Sequence, residues 1–222
     1  ITSKSAKDTQ GGYLEAGGGT ELQDFVGGRY GAKLAPDVYF RVYGKYTDRD
    51  RGVTASGAES NDGSRVGRGG FRLDATNAAS NAFTLQGDVY NGTEETLTGG
   101  DSRISGGNVL GRWTRDFSDD SDLSLQLYYD RTHIAVPKPT NGFAPAGMLA
   151  DTLDTYDLDF QHRFPLGKNH IVWGFGYRFT NDQVQNAPNV GFLPAQLEQN
   201  LYSVFVQDEI ALARDVTFTF GS

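Results

Sequence analysis

The sequence has no cysteine and a single methionine, Met148. A chain without cysteine cannot be a secreted scaffold held together by disulfides. It also lacks any apolar run of about eighteen residues or more, so a membrane-spanning helix is excluded. Basic residues are in the minority, and the formal net charge of −8 argues against a nucleic-acid partner.

Patterns for catalysis, cofactors and metals are missing as well. The histidines, His133, His162 and His170, are not at the spacing of metal ligands. Neither a G-x-S-x-G elbow nor a phosphate-binding loop occurs. The acidic run Asp116–Asp122 lacks the spacing of a calcium loop and is typical of a turn. The sequence therefore predicts no enzyme, no cofactor and no metal site.

What the sequence does contain is alternation of period two, the pattern of β-strands. Residues 123–129 and 171–179 place apolar side chains at every odd position. The pattern predicts eleven strands, at 11–18, 24–34, 38–50, 65–76, 82–94, 106–117, 123–136, 154–166, 170–184, 201–212 and 216 onward. Many exceed the usual strand of about 5–6 residues and reach the roughly 9–11 that cross a bilayer. We expect an all-β antiparallel meander of long transmembrane strands.

Connections between the predicted strands alternate in length from the second strand onward. The short ones are Ala35–Asp37, Asn77–Asn81, Ser118–Asp122, Gly167–Asn169 and Ala213–Asp215. The long ones are 51–64, 95–105, 137–153 and 185–200. Short turns on one side of a sheet and long loops on the other are the layout of bacterial outer-membrane barrels.

Aromatic residues on the apolar face gather at two levels. Near the short connections lie Phe117, Phe164, Trp173, Phe218 and Phe220, and near the long ones lie Tyr46, Tyr129, Tyr156, Phe179 and Tyr202. Amphipathic rings favour the headgroup level of a bilayer. The opposite face is polar in nearly every strand, and so many charges cannot be buried unpaired. We therefore expect one face toward lipid, where His162 packs, and one toward water.

Four segments resemble a known family. Ile1–Ala6 followed by Gly11–Gly17 resembles the junction between plug and barrel in TonB-dependent outer-membrane receptors. Tyr39–Tyr46 is similar to an early barrel strand of these receptors, and Val204–Glu209 to their FxQDE strand near mid-barrel. The resemblance implies a barrel of about 22 strands in the outer membrane of a Gram-negative bacterium. It also implies import of a scarce ligand of the siderophore–iron, cobalamin or glycan type, with energy supplied by the TonB complex through the plug.

The resemblance also implies a division of the chain. Residues 1–10 would be the end of the plug or its linker, and residues 11–222 the N-terminal half of the barrel. Single-chain bacterial barrels have even strand numbers, whereas eleven strands are predicted and the last still alternates at Phe220. The start of the sequence has no signal-peptide pattern. We therefore expect the plug and the remaining strands to lie outside this sequence.

Two groups of residues are candidates for ligand or plug contact. The first is basic and lies on the polar face, where we expect contacts with acidic groups of the plug or with an anionic ligand: Arg29, Arg41, Lys45, Arg68, Arg72 and Arg112. The second comprises Phe143 and Met148, in the proline-rich connection 137–153. An exposed apolar cluster marks a binding surface in some proteins and an ordinary loop tip in others.

Two other functions stay open on the sequence alone. A passive porin shares the same barrel physics but has no plug, so an upstream plug-like domain would exclude it. A soluble β-sandwich or adhesin-like binding module would bury the aromatic face as a core, and it would fold without detergent.

Overall fold

The computed structural model describes residues 3–96, 100–213 and 216–222, which form a single antiparallel sheet of eleven strands. The strands are β1 Gly11–Gly17, β2 Leu22–Ala35, β3 Val38–Arg49, β4 Ser64–Thr76, β5 Asn81–Glu95, β6 Asp101–Ser118, β7 Ser121–Lys138, β8 Gly147–Leu166, β9 Asn169–Gln185, β10 Gln196–Ala213 and β11 Val216–Gly221. Each strand pairs with its neighbours in sequence. The predicted meander and its strand number are confirmed.

The two faces of the sheet differ in character, as the alternation predicts. The register places Leu127, Leu158 and Tyr177 side by side on one face, here called the apolar face. On the other, the polar face, Gln126 lies opposite Asp159. This division follows from the strand period of two, which sends successive side chains to opposite faces.

The sheet is a single layer without a closed hydrophobic core. The buried apolar residues of the described chain are four alanines: Ala6, Ala135, Ala150 and Ala187. Large apolar-face side chains remain open, with Leu127 53% and Phe175 38% exposed. A sandwich would have buried these rings between two sheets, so the soluble-sandwich interpretation does not fit. In the described residues no helix has the length and apolarity to cross a membrane.

The short connections follow from local turn chemistry. Pro36–Asp37 joins β2 to β3, with Asp37 at φ 59°, and Gly167 takes φ 68° between β8 and β9. Proline fixes its own φ, while aspartate and glycine tolerate the left-handed region. Residues 77–80 and 119–120 form the other described short turns, and the predicted turn Ala213–Asp215 lies partly outside the described residues. The end of the sheet that carries these turns is called the short-turn end, and the opposite one the long-loop end.

Three strand starts at the long-loop end were predicted wrongly, whereas the other strand bounds there lie within two residues of the prediction. β6, β8 and β10 begin at Asp101, Gly147 and Gln196, five to seven residues before the predicted starts. Met148 therefore lies on β8, opposite Pro137 on β7, and not in a loop. The connection between β5 and β6 is correspondingly shorter than predicted, and residues 97–99 within it lie outside the described chain.

The physical reason is visible on the apolar face of β8. Beyond Tyr156 this face carries Asp154, Thr152 and Ala150, so the alternation of apolar and polar residues disappears. The backbone ladder nevertheless continues as far as Gly147, opposite Lys138, because main-chain hydrogen bonding requires no particular side chain. A sequence pattern based on apolar residues ends earlier than the strand does.

Candidate functional site

Basic residues gather on the polar face of β2, β3 and β4. Register places Arg41 directly opposite Arg72, and Lys45 opposite Arg68. Arg29 lies opposite Tyr43 on the neighbouring pair. Five of the six predicted basic residues therefore share one continuous surface on these three strands, because residues opposite each other in a ladder have Cβ atoms about 5 Å apart.

Asp74 on β4 is the acidic centre of this surface. Its carboxylate accepts hydrogen bonds from the guanidinium of Arg72, with Nε at 2.8 Å from Oδ2, and from the hydroxyl of Thr84 at 2.8 Å. The Arg72 and Asp74 side chains are 15% and 17% exposed. Such a charge-assisted and largely buried pair fixes both side chains in place.

The chain that precedes β1 lies on this same surface. This N-terminal segment, residues 3–10, includes a short 3-10 turn at Lys7–Thr9. The backbone N–H of Ala6 donates to Asp74 Oδ2 at 2.6 Å. Arg41 Nη1 donates to the carbonyl oxygen of Lys4 at 3.0 Å, and Arg72 Nη1 donates to Ser3 Oγ at 2.9 Å. Two of the six predicted basic residues therefore hold this segment.

Close packing accompanies these hydrogen bonds. Ala6 is fully buried and Thr9 is 4% exposed. Thr9 lies against the polar face of the sheet at Gly31 on β2, where an added Cβ would lie 2.5 Å from the Thr9 carbonyl oxygen. Only glycine lets another backbone approach a strand so closely. The sheet surface therefore complements the N-terminal segment in shape as well as in charge.

Other glycines of the polar face let side chains reach across a strand. Lys45 Nζ on β3 contacts Glu15 Oε1 on β1 at 2.8 Å, with Gly27 of β2 between them. Tyr43 Oη donates to Asp88 Oδ1 at 2.5 Å in the same way, over Gly70 of β4. The missing side chain leaves room above the middle strand, so each pair connects strands that are not neighbours.

The remaining predicted basic residues have different surroundings. The Arg29 guanidinium lies over the Tyr13 ring, 5.6 Å from its centroid, beside a cavity of about 290 Å³ that Tyr43 and Lys45 also line. Arg112 on β6 donates to Gln126 Oε1 on β7. Arg112 is therefore separate from the basic surface on β2–β4, although it shares the polar face.

Aromatic rings on the apolar face form cross-strand rows at the long-loop end. Tyr129 and Tyr156 have centroids 4.9 Å apart, and Tyr156 and Phe179 6.0 Å apart. Tyr202 packs on Tyr177 at 4.9 Å. Such offset pairs stabilise adjoining strands beyond the area that they bury. Tyr46, 40% exposed, lies on the same face of β3.

A second group of rings lies toward the short-turn end. His162 is surrounded by Phe117, Phe164 and Trp173, with centroids 6.2, 5.0 and 6.3 Å away. Trp173 Nε1 donates to His162 Nδ1 at 3.3 Å, in agreement with the packing position expected for this histidine. Sequence reasoning missed the stacked pair Phe83–Trp113, whose centroids are 6.4 Å apart. Its signal was present, since both rings occupy apolar-face positions beside a short turn.

The two predicted loop residues are placed differently. Phe143 is completely exposed in the connection between β7 and β8, whereas Met148 lies within β8. Elsewhere at the long-loop end, residues 50–63 are attached to β5 through Arg51, which contacts Glu95 with Nε at 2.5 Å and Nη2 at 2.9 Å. In the described chain no three His, Asp or Glu side chains converge as metal ligands.

The N-terminal segment was the contact that sequence reasoning did not find. Its main bonds use backbone groups, the N–H of Ala6 and the carbonyl of Lys4, and backbone groups carry no residue signature. The available signal was indirect: Gly31 lies between Arg29 and Lys33 at successive polar-face positions of β2.

Comparisons with known proteins agree on one family. The model of the TonB dependent receptor-like beta-barrel family matches residues 10–222. No curated protein sequence matches the chain. Among solved structures, the siderophore receptor PirA from Acinetobacter baumannii superposes with a TM-score of 0.69 at 14% identity, over 100% of this chain and 39% of that one.

Two further structures are similar. A variant of the ferric enterobactin receptor PfeA from Pseudomonas aeruginosa gives a TM-score of 0.67 at 14% identity, over 95% of this chain and 38% of that one. The copper transporter OprC gives 0.64 at 14% identity, over 95% and 35%. The chain thus spans less than two fifths of the lengths of these proteins. With a family match over almost all of its residues, the chain belongs to the TonB-dependent receptors, and its eleven strands are a part of their β-barrel.

Proposed function

We propose that this chain forms part of the wall of an outer-membrane importer that takes up a scarce ligand with energy from the TonB complex. The observation that carries the proposal is the N-terminal segment on the polar face, held by Arg41, Arg72 and Asp74. Chain that precedes β1 reaches the sheet from its charged face. That is the position expected for a linker from a plug that fills the lumen of a barrel.

In this proposal residues 1–10 are the end of the plug or its linker, and residues 11–222 the first half of the barrel. The polar face lines the lumen. The apolar face meets lipid, since the polar backbone groups of a sheet are satisfied within its ladders and only side chains face the bilayer. The two levels of rings, exemplified by Tyr129–Tyr156 and by Trp173, lie at the headgroup regions.

The basic residues then divide into two roles. Arg41 and Arg72 hold the linker. Arg29, Lys45 and Arg68 face the lumen farther from the short-turn end, where they contact acidic groups of the plug or an anionic ligand. Arg112 lines the lumen on β6. At the long-loop end, the exposed ring of Phe143 contacts ligand from outside the cell, and Met148 supports that hairpin from β8.

Transport by the parent receptor tests the proposal. The gene is deleted in its source bacterium, and uptake of a radiolabelled ferric siderophore, cobalamin and copper is measured with and without a functional TonB. The siderophore and copper probes are chosen because PirA, PfeA and OprC are receptors or transporters of such ligands by name. We expect loss of the receptor and loss of TonB to abolish uptake of one probe equally.

A passive pore gives the opposite result. Uptake would then continue without TonB, and the purified protein would conduct ions steadily in a planar bilayer. Alanine at Arg29, Lys45 and Arg68 provides a second test in the full-length receptor. Unchanged uptake and unchanged retention of the plug in all three variants would exclude the role given to these residues.

A further inference from the structure

We propose that Arg41, Arg72 and Asp74 form a clasp that keeps residues 3–10 bound to the barrel wall while the chain upstream of them moves. The inference rests on the proposed function, because it assigns to this segment the role of a fixed stop between a mobile plug and a rigid wall. The clasp therefore stops movement of the upstream chain from being transmitted to β1.

The hydrogen bonds of the clasp converge from two strands on one short segment. Asp74 and Arg72 come from β4 and Arg41 from β3. They bind Ser3, Lys4 and Ala6 within four consecutive residues. Because the contacts to Lys4 and Ala6 use the main chain, substitutions in the segment itself leave them in place, whereas substitutions in the wall remove them.

Asp74 is the member on which the clasp depends. It accepts from the Ala6 N–H at 2.6 Å. Separately it accepts from Arg72 and Thr84, so two groups of the sheet hold its carboxylate in one orientation independently of the segment. A preorganised acceptor of this kind does not have to lose conformational freedom on binding. Hydrogen bonds to charged groups are stronger than neutral ones.

Shape adds a second, charge-independent restraint. The carbonyl oxygen of Thr9 lies over Gly31, where even a methyl group would be only 2.5 Å away. Ala6 is fully buried at the other end of the 3-10 turn. The segment is therefore bound through charged hydrogen bonds at Ser3–Ala6 and through close backbone contact at Thr9.

Hydrogen exchange at the Ala6 amide tests the clasp directly in the full-length receptor in detergent. We expect slow exchange in the wild type and exchange faster by about tenfold or more in Asp74→Ala, because the variant removes a hydrogen bond to a charged acceptor. Tryptic cleavage after Lys7 should accelerate in parallel, since a segment released from the sheet can enter the active site of trypsin.

Asp88→Ala is the matched control. It removes one carboxylate from the same face, where Asp88 bonds to Tyr43 and makes none of the hydrogen bonds to the N-terminal segment described above. Exchange at Ala6 should stay within about twofold of the wild-type rate, well below the change for a lost charged hydrogen bond. Gly31→Ala is the second variant, in case Asp74→Ala disturbs the barrel: it should release the segment through its clash with Thr9 while all charged groups remain.

Force applied to the chain upstream of residue 3 tests the stop. In the wild type, extension should end before Ala6. In Asp74→Ala it should lengthen by up to about 18 Å, the fully extended length of the five residue steps from Ala6 to Gly11, where β1 begins. Equal extension in both proteins, or fast Ala6 exchange in the wild type, would overturn the clasp. If no plug precedes the segment, the proposed function fails through the absence of any upstream unfolding event, while the exchange measurement still decides on the clasp.

Discussion

At the scale of single residues, glycines on the polar face leave space that the side chains of neighbouring strands occupy. Gly27 and Gly70 each lie between two residues that bond to each other across a strand. The charged or hydroxyl partners could be expected from the sequence to face water. That they bond to each other could not, because the partner of each residue is fixed by the strand register, which the sequence does not contain.

Gly70→Ala should destabilise the full-length barrel by about 1–3 kcal/mol, the usual cost of overpacking a closely packed site. The new Cβ would meet the Asp88 carboxylate, and it would lie 2.7 Å from both the Gly87 carbonyl oxygen and the Tyr43 ring. The measurement is the midpoint of urea unfolding in detergent. Gly111→Ala is the control, since its Cβ has nothing within 4 Å, and equal midpoints for the two variants would contradict the expectation.

The contact between Arg51 and Glu95 should make the loop of residues 50–63 sensitive to acid. Hydrogen bonds from Arg51 lower the pKa of Glu95 below its ordinary value of 4.5. An acid with a depressed pKa stabilises the folded form fully above its ordinary pKa, and this stabilisation is lost as the pH falls through the folded value. We expect the loop to be held at neutral pH and released in acid.

Hydrogen exchange of the Ser60 amide, which donates to the Gly52 carbonyl at 2.8 Å, reports on this loop once it is corrected for intrinsic rates. The Glu95→Gln variant has no carboxylate to titrate, so most of its pH dependence should disappear. An identical pH profile in variant and wild type would mean that another group controls the loop. Asp62, whose pKa is also lowered, by hydrogen bonds from Ser60 and Gly52, is the first such candidate.

At the scale of elements, the sequence predicts the strand bounds at the short-turn end well but misses three strand starts at the long-loop end, those of β6, β8 and β10. The residue types at Pro36–Asp37 and Gly167 predict turns, and the strand bounds beside these turns lie within two residues of the prediction. The starts of β8 and β10 were missed because their outer parts carry mixed residues on both faces. A strand that leaves the bilayer keeps its hydrogen bonds but loses the pattern that reveals it.

The outer end of the β8–β9 hairpin should respond to pH in the opposite direction to the loop of residues 50–63. Burial raises the pKa of the Asp151 carboxyl, and so does the neighbouring carboxyl of Asp182, with which it shares a hydrogen bond. These residues lie beyond Tyr156, where β8 and β9 continue past the aromatic row toward the long-loop end. A raised pKa in an acid gives stability that is complete below the ordinary value of 3.8 and is lost as the pH rises through the folded one.

Asp182→Asn should therefore tighten this hairpin end at neutral pH, since a neutral amide replaces the like charge beside Asp151. The measurement is hydrogen exchange of the Val184 amide, which donates to the Ala195 carbonyl at 2.7 Å. Asp159→Asn, on the same face but nearer the short-turn end, should leave this exchange unchanged. Faster exchange in Asp182→Asn at neutral pH would show that the two carboxyls stabilise each other by a route other than a shared proton.

At the scale of the whole molecule, this sheet is stabilised mainly by hydrogen bonds between its strands and little by a buried core. No large side chain among the described residues is fully buried, whereas each strand from β2 to β10 is paired on both sides. A single sheet with one apolar face is unsuited to water, because no other described part of the chain covers that face. In a bilayer the same face needs no cover, since lipid tails are as apolar as its side chains.

The 222-residue chain by itself should consequently aggregate in buffer without detergent. Among the residues that the structure describes, β1 and β11 each pair on one side only. Two rows of N–H and C=O groups at these edges therefore adjoin an apolar face, and exposed edges of this kind pair with other chains. Size-exclusion chromatography with light scattering measures this, with the full-length receptor in detergent as the control. Adding the complementary strands of the parent during refolding in detergent should convert the aggregate into a barrel of one size, because the partners of both edges are then present. A folded monomer in plain buffer would instead require that something within the chain covers the apolar face, and the single-layer sheet would then be wrong.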